Sequence, residues 1–570
     1  MILVLHLAVV LGQTAIFPNF RSPDERQHVD LIVAVAQGRA WPWPDPGTLA
    51  VTEGSGAGGF TRSNRIGGPL HLADEPIPPR GDRPSFASAG GAAHAARVPA
   101  NQLIQHPPLY YVLGAGALAL VPGWDRIPFD LAFLALRWWN VLFAVALPLL
   151  LWAVARRLRL PEPLPVAAAL IPVGIPELTH TESAVNNDNL LVLLFAVLTL
   201  LLVRVLTGDT RRRTALVIGA VGSLALLTKG FALLVPIWIF VAYAAVVFRR
   251  RNRWRTAAVS LGVAWLACLP GLAWWIHNRI VYGSVQPHGR FTSMPDLTPH
   301  YSFADGGVLW LLRFVERMNT LFFVHDQTGA QRHHWPWKLA LLAGVLVVAG
   351  IVSTLLMRAL PHPTTLVLLL PTAGLLAIVA KGSYEQFAAS QTYAAMQGRY
   401  LYGGLIGVAV VALAATARLP DRWRRRVPLA VLGFALLTQV VYVGYTVDLF
   451  WTPANGDRTA VPGAIAAWYA LPPAILILLL AMVVVAVTAT LAGTISLAGR
   501  PTTMPTPRTG PTTPEQRPTP AEPALQDQPA PSEQPAPSDQ PAPSDQPAPS
   551  DQPAPADQPA APSEPDRVPA

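Results

Sequence analysis

Asp24 and Glu25 stand a few residues past an apolar run that starts at Met1, inside the stretch Arg-Ser-Pro-Asp-Glu-Arg-Gln-His-Val-Asp at 21–30. Adjacent carboxylates at the end of a membrane span can take a proton from a hydroxyl or ligate a divalent cation. His28 follows Asp24 by four residues, so one helical turn puts both on a shared face. The structural alternative is helix N-capping by Asp24 after Pro23, which leaves Glu25 and Asp30 unexplained.

Four further clusters carry polar chemistry. Gln105-His106-Pro107-Pro108-Leu109-Tyr110-Tyr111 opens a short apolar stretch. Its prolines fit a first helical turn and its tyrosines the headgroup level, which leaves Gln105 and His106 as polar lining of a site. The run 177–189 holds Glu177, Glu182 and Asp188 with Asn186 and Asn187 and no Lys or Arg; Asp188 is either a helix cap or a substrate ligand. Lys229-Gly230 and Lys381-Gly382 fall at the ends of apolar runs, joined there by Gln397-Gly398-Arg399-Tyr400. Fixed cations beside glycine at an interface suit a phosphate held at headgroup depth. Snorkelling anchors are the alternative for the lysines.

The elements that must position these residues are membrane spans. The chain of 570 residues is 52% hydrophobic and 13% charged, about half the charged share of an ordinary soluble protein. Its one cysteine, Cys268, lies in an apolar run and excludes a disulfide framework. The net charge of +9 comes from short basic clusters between apolar runs, the pattern that sets membrane orientation, and so does not imply a nucleic-acid partner. At about 20 apolar residues per span, the qualifying runs are 1–17, 131–155, 163–178, 188–206, 214–229, 231–248, 257–276, 337–357, 363–380, 400–417, 428–446 and 468–493. These predict an all-α protein of about 12 transmembrane helices. The stretch 109–122 is broken by Pro122-Gly123 and reads as an interfacial or re-entrant helix.

With the N-terminus inside, 18 basic residues fall in the inner loops against 4 in the short outer ones. Both termini are then cytoplasmic and the long loops 18–108 and 277–336 face outward. Within the second, 307–323 has the spacing of an amphipathic helix lying flat in the interface. The first span lacks a basic flank and a small-residue cleavage site, and reads as a retained helix. Residues 1–498 form the transmembrane domain. From 499 to 570 the chain is Pro, Ala, Ser, Gln and Asp around a repeated Ser-Asp-Gln-Pro-Ala-Pro hexad, which predicts a disordered cytoplasmic tail with no apolar face to bury.

Pro23-Asp24-Glu25 with His28, His106-Pro-Pro-Leu-Tyr-Tyr, Asn186-Asn-Asp188, Lys229-Gly230 and Gln397-Gly-Arg-Tyr400 occur in the order seen in the bacterial membrane family known as domain of unknown function 2142. That family resembles the GT-C glycosyltransferases, among them the protein mannosyltransferases and the lipid A aminoarabinose transferase. The likeness spans about residues 1–450; the region 300–330 matches weakly, and Gly403 stands where proline is common in the family. It implies a plasma-membrane enzyme that moves a sugar from a polyprenyl-phosphate donor to an envelope polysaccharide, lipid or protein on the outer face. Asp24 would then be the base, with Glu25 supporting it or holding a divalent cation, while Arg399 and Lys229 hold the departing phosphate. His28, Gln105, His106, Asn187, Asp188, Lys381 and Gln397 would complete the substrate site. A transporter or flippase of envelope precursors, and a non-catalytic membrane scaffold, are the competing classes. The near absence of charge within the spans, Arg137 excepted, argues against transport.

Overall fold

The computed structural model describes residues 1–38, 71–87, 101, 103, 105–286, 297–324 and 335–499. The proline-rich tail and parts of the two long loops lie outside the described residues. Among those described the regular structure is helical, with one isolated bridge between Ser85 and Pro128.

The first half of the bundle is built from α1 (Ile2–Ile16), α2 (Glu25–Ala36), α3 (Leu109–Ala119), α4 (Phe129–Arg157), α5 (Leu164–Gly174), α6 (Pro176–Glu182), α7 (Asn187–Leu206) and α8 (Arg212–Leu226). The second half comprises α9 (Gly230–Arg249), α10 (Arg251–Tyr282), α11 (Gly307–Phe323), α12 (Trp335–Leu356), α13 (His362–Ser390), α14 (Gly398–Arg418), α15 (Asp421–Phe450), α16 (Val461–Trp468) and α17 (Pro473–Gly499). Nine of these, α4, α7, α9, α10, α12–α15 and α17, are long and apolar enough to cross a membrane. The remaining three expected spans are shorter: α1 and α8 have 15 residues each, and α5 tightens at Pro172 before Pro176 starts α6.

Every backbone polar group in hydrocarbon must be bonded internally, which is why the apolar runs take helical form. Close approach then supplies the packing. A Cβ on Gly219 of α8 would run into the carbonyl of Ala264 on α10, so these two helices touch backbone to backbone. Two large apolar clusters result, one around α7, α8, α9 and α10, the other around α4, α5, α14 and α15.

Several local expectations change. The stretch 177–187, expected as an outer loop, is the helix α6 and the turn after it, with Glu177, His180 and Glu182 buried. Glu182 meets His6 of α1 at 3.1 Å, and His180 bonds Ser22 at 2.8 Å and Glu177 at 3.2 Å. Folding this polar stretch inward pairs its groups with one another, which an outer loop would not require. Tyr110 and Tyr111 are fully buried inside the protein. Asn140 accepts from the hydroxyl of Tyr110 at 2.9 Å, and the hydroxyl of Tyr111 lies 3.1 Å from Nδ1 of His28. Helix α11 spans the expected residues. It buries Trp310, Phe314, Met318 and Leu321, yet leaves Val308, Leu312 and Val315 exposed while Arg313 and Arg317 are half-buried.

Candidate active site

Arg137, the one charge in the apolar run 131–155, organises the end of the bundle. It lies in α4, and its Nε and Nη2 donate to the two carboxylate oxygens of Glu25 at 2.9 and 2.8 Å. The remaining donors reach the carbonyls of Thr14, Phe17 and Pro18. Glu25 also accepts from the backbone N–H groups of Phe20 and Val185. One fully buried ion pair therefore ties together the end of α1, the start of α2, α4 and the turn before α7. Removing either partner of such a pair leaves an unpaired buried charge, at a cost of about 3–5 kcal/mol.

This clamp holds Asp24 with φ +58° at the start of α2, making no capping bond. The left-handed region costs a residue with a Cβ about 1–2 kcal/mol. The conformation turns the carboxylate away from the helix, where Oδ2 accepts from Nη2 of Arg399 at 2.7 Å. Asp24 remains about one-third exposed while Arg399 is buried. Neither Nε nor Nη1 of Arg399 finds a hydrogen-bond partner among the described residues; Nε lies 3.9 Å from Oδ2 of Asp188.

The turn that carries Arg399 is fixed by what Gly398 lacks. A Cβ there would strike the backbone of Met318 and Phe322 on α11, and the Tyr402 hydroxyl donates to the Phe322 carbonyl at 2.7 Å. Asp188 owes its freedom to Asn186, whose side chain caps α7 by accepting from the Asp188 N–H at 2.9 Å. Its Oδ1 then takes the ammonium of Lys229 at 2.5 Å, and Oδ2 has no hydrogen bond among the described residues. Tyr400 lies beneath both cations, 5.1 Å from the Lys229 ammonium and 5.3 Å from the Arg399 guanidinium, a favourable placement for positive charge over a π face.

Segment 105–109 packs beside this pair, since the Leu109 N–H donates to the Leu227 carbonyl. The ring of His106 lies parallel to that of His28, 6.5 Å between centroids. Burial, reinforced by the facing His106 and by Lys229, pushes His28 well below the usual histidine range. Burial, then Lys229, takes His106 down to about 3. Both imidazoles are therefore neutral at physiological pH and can donate and accept hydrogen bonds. His106 Nδ1, the Gln105 side-chain carbonyl and the Asn187 side-chain carbonyl have no partner among the described residues. The Asn187 amide nitrogen donates to the Thr228 carbonyl at 3.4 Å.

Asp24, His28, His106, Asp188, Lys229 and Arg399 thus share one buried cluster, with Asn187 and Gln105 on its flanking segments. Gln397 is half-buried at the start of the Arg399 turn. Lys381 stands apart. Helix α13 runs on to Ser390, so Lys381 is inside the helix and not at its end, and its ammonium meets Glu385 on an exposed face. A divalent cation at Asp24 and Glu25 does not fit, because the Arg137 guanidinium and two backbone N–H groups occupy both Glu25 oxygens. Nor do the described residues contain a group of three or more His, Cys, Asp or Glu side chains placed to hold a metal ion. Two positioning residues, Arg137 and Asn186, fall outside the sequence-derived set. Arg137 had a signal, a charge alone in an apolar span.

Residues 105–275 match the family model described as dolichyl-phosphate-mannose-protein mannosyltransferase. That segment contains Gln105, His106, Arg137, Asn187, Asp188 and Lys229, and excludes Asp24 and Arg399. Over that segment the chain is GT-C mannosyltransferase-like. No curated protein matches the chain. Among solved structures, apo ArnT from Cupriavidus metallidurans aligns at 14% identity and a TM-score of 0.43, over 87% of this chain and 76% of that one. ArnT bound to undecaprenyl phosphate gives 15% identity and 0.42 over the same shares. The archaeal oligosaccharyltransferase AglB from Archaeoglobus fulgidus gives 14% identity and 0.35, over 75% of this chain and 56% of that one.

Proposed function

We propose that the chain is a membrane glycosyltransferase that moves a sugar from a polyprenyl-phosphate donor to a hydroxyl of an envelope polysaccharide, lipid or protein at the outer face of a bacterial plasma membrane. One observation carries the reading: a buried arginine, Arg399, spends one nitrogen on Asp24, while its Nε and Nη1 have no hydrogen-bond partner among the described residues. Buried donors left without acceptors are costly in a protein interior, and a phosphate supplies the anionic acceptors for which a guanidinium is suited. The mannosyltransferase family match over 105–275 supports the same class.

In this reading the acceptor oxygen attacks the anomeric carbon, the bond from that carbon to the phosphate oxygen breaks, and the hydroxyl proton passes to Asp24. Polyprenyl phosphate leaves as an anion, so it needs charge neutralisation more than an acid. Protonation of Asp24 removes one half of its ion pair and leaves Arg399 to the phosphate, with Lys229 beside it. Asn187, Gln105 and the two neutral histidines line the sugar. Glu25 is a positioning residue, held by Arg137, which sets the backbone of Asp24. No metal step enters this sequence.

The test is transfer from a radiolabelled polyprenyl-phosphate sugar to membrane acceptors by purified protein in liposomes. Wild-type protein should label an acceptor, and Asp24→Asn should fall by about 10²–10⁴, the range for a lost general base. Full activity in Asp24→Asn would remove the base from the mechanism. If wild-type protein neither binds the donor nor moves label, the glycosyltransferase reading fails.

A further inference from the structure

We propose that the groove between α9 and α10, at their arginine-rich ends, binds the headgroup phosphate and one acyl chain of an anionic glycerophospholipid. Lys229 precedes α9 and Arg249 closes it, so the groove lies about one helix length, about 30 Å for 20 residues, from the Arg399 cluster. It is a separate site and does not rest on the proposed transferase activity.

The groove has a volume of about 500 Å³ and is walled by Phe240, Tyr243, Val247, Phe248, Trp254 and Leu261, with Arg251 among its lining residues. That volume lies in the usual range of small-molecule sites, about 300–1,000 Å³. Its walls are apolar, as an acyl chain requires. One group inside is not: Tyr243 is only 1% exposed, and its hydroxyl has no hydrogen-bond partner among the described residues. A buried hydroxyl without an acceptor is unfavourable, and the ester carbonyls of a glycerophospholipid are acceptors that lie just below the phosphate. Tyr243 sits six residues before Arg249, about 9 Å deeper along the helix.

The rim fixes the sign of the headgroup. Arg251 lines it, Arg249, Arg250, Arg253 and Arg255 flank Arg251 in the chain, all five are exposed, and none of them makes an ion pair among the described residues. The closest acid in the neighbouring turn, Asp209, is held by Arg204 at 2.8 Å, while Arg253 donates to the Gly208 carbonyl. An arginine in the groove lining, within a run of five over 249–255, matches a phosphate that carries net negative charge, and gains less from a zwitterion whose own ammonium competes. Trp254 and Phe248, both largely exposed, stand at the edge, where aromatic rings favour the membrane interface.

The experiment is native mass spectrometry of the full-length protein in detergent, titrated with phosphatidylglycerol or phosphatidylcholine of identical acyl chains. Wild-type protein should retain phosphatidylglycerol several-fold more tightly. Arg251→Gln should weaken it about fivefold, the usual loss for one basic residue at a membrane surface. Tyr243→Phe keeps the ring and the fold, and should weaken both lipids alike because the ester carbonyls are common to them. Melting curves without added lipid should match wild type for both variants. Equal affinity of wild type for the two lipids overturns the proposal, as does undiminished phosphatidylglycerol binding in both variants.

Discussion

Arg399→Lys separates a phosphate ligand from an interfacial anchor. In the wild type Nη2 bonds Asp24 at 2.7 Å, and Nε and Nη1 have no hydrogen-bond partner among the described residues. A lysine brings one nitrogen, which can pair with Asp24 or approach a phosphate but cannot replace Nε and Nη1 as well. Each hydrogen bond to a charged group contributes about 1.5–3 kcal/mol, so the loss of two predicts a fall in transfer rate on the order of 10²–10⁴. Stability should change little. Asp24 is about one-third exposed and so is not stranded as a buried charge, and Asp188 keeps Lys229 at 2.5 Å. The assay is donor titration in liposomes beside a thermal melt. Wild-type turnover in the lysine variant would refute the reasoning, because an anchor tolerates lysine and a guanidinium that serves Asp24 and the phosphate at once does not.

The two adjacent acids should part company. Glu25→Gln strands the Arg137 guanidinium and should lower unfolding stability by about 3–5 kcal/mol, whereas Asp24→Asn should melt near wild type; equal melting temperatures would contradict the assigned roles. Gly398→Ala pushes the Arg399 turn off α11 and should cost about 1–3 kcal/mol of stability by overpacking, with a larger proportional loss of donor affinity. Unchanged affinity would show that the turn does not set the arginine. Because burial keeps His28 and His106 neutral, with His106 at about 3, neither contributes a titration between pH 5 and 8. His106→Gln should therefore leave the shape of the pH–rate profile as it was, and a lost limb near the ordinary histidine range would show that His106 ionises.

Hydropathy alone determined that the chain is a helical membrane protein, because a run of apolar residues in hydrocarbon has one way to satisfy its backbone. The residue types of the site were also legible, since acids, histidines and cations at the ends of apolar runs are expensive and therefore visible. The partners of those residues were not. Asp24 and Arg399 are 375 positions apart, Lys229 and Asp188 are 41 apart, and Glu25 and Arg137 are 112 apart. Only the packing of the helices brings each pair together. From sequence, Asp24 and Glu25 are adjacent carboxylates, and nothing in their spacing says which one meets a cation inside the bundle. The fold sends one carboxylate into the bundle to meet Arg137 and leaves the other about one-third exposed and paired with Arg399. Likewise, only the capping bond from Asn186 shows that Asp188 is free for Lys229, and only the extension of α13 to Ser390 removes Lys381 from the site. Periodicity reports which residues share a helix face; which face meets which is a property of the packed bundle.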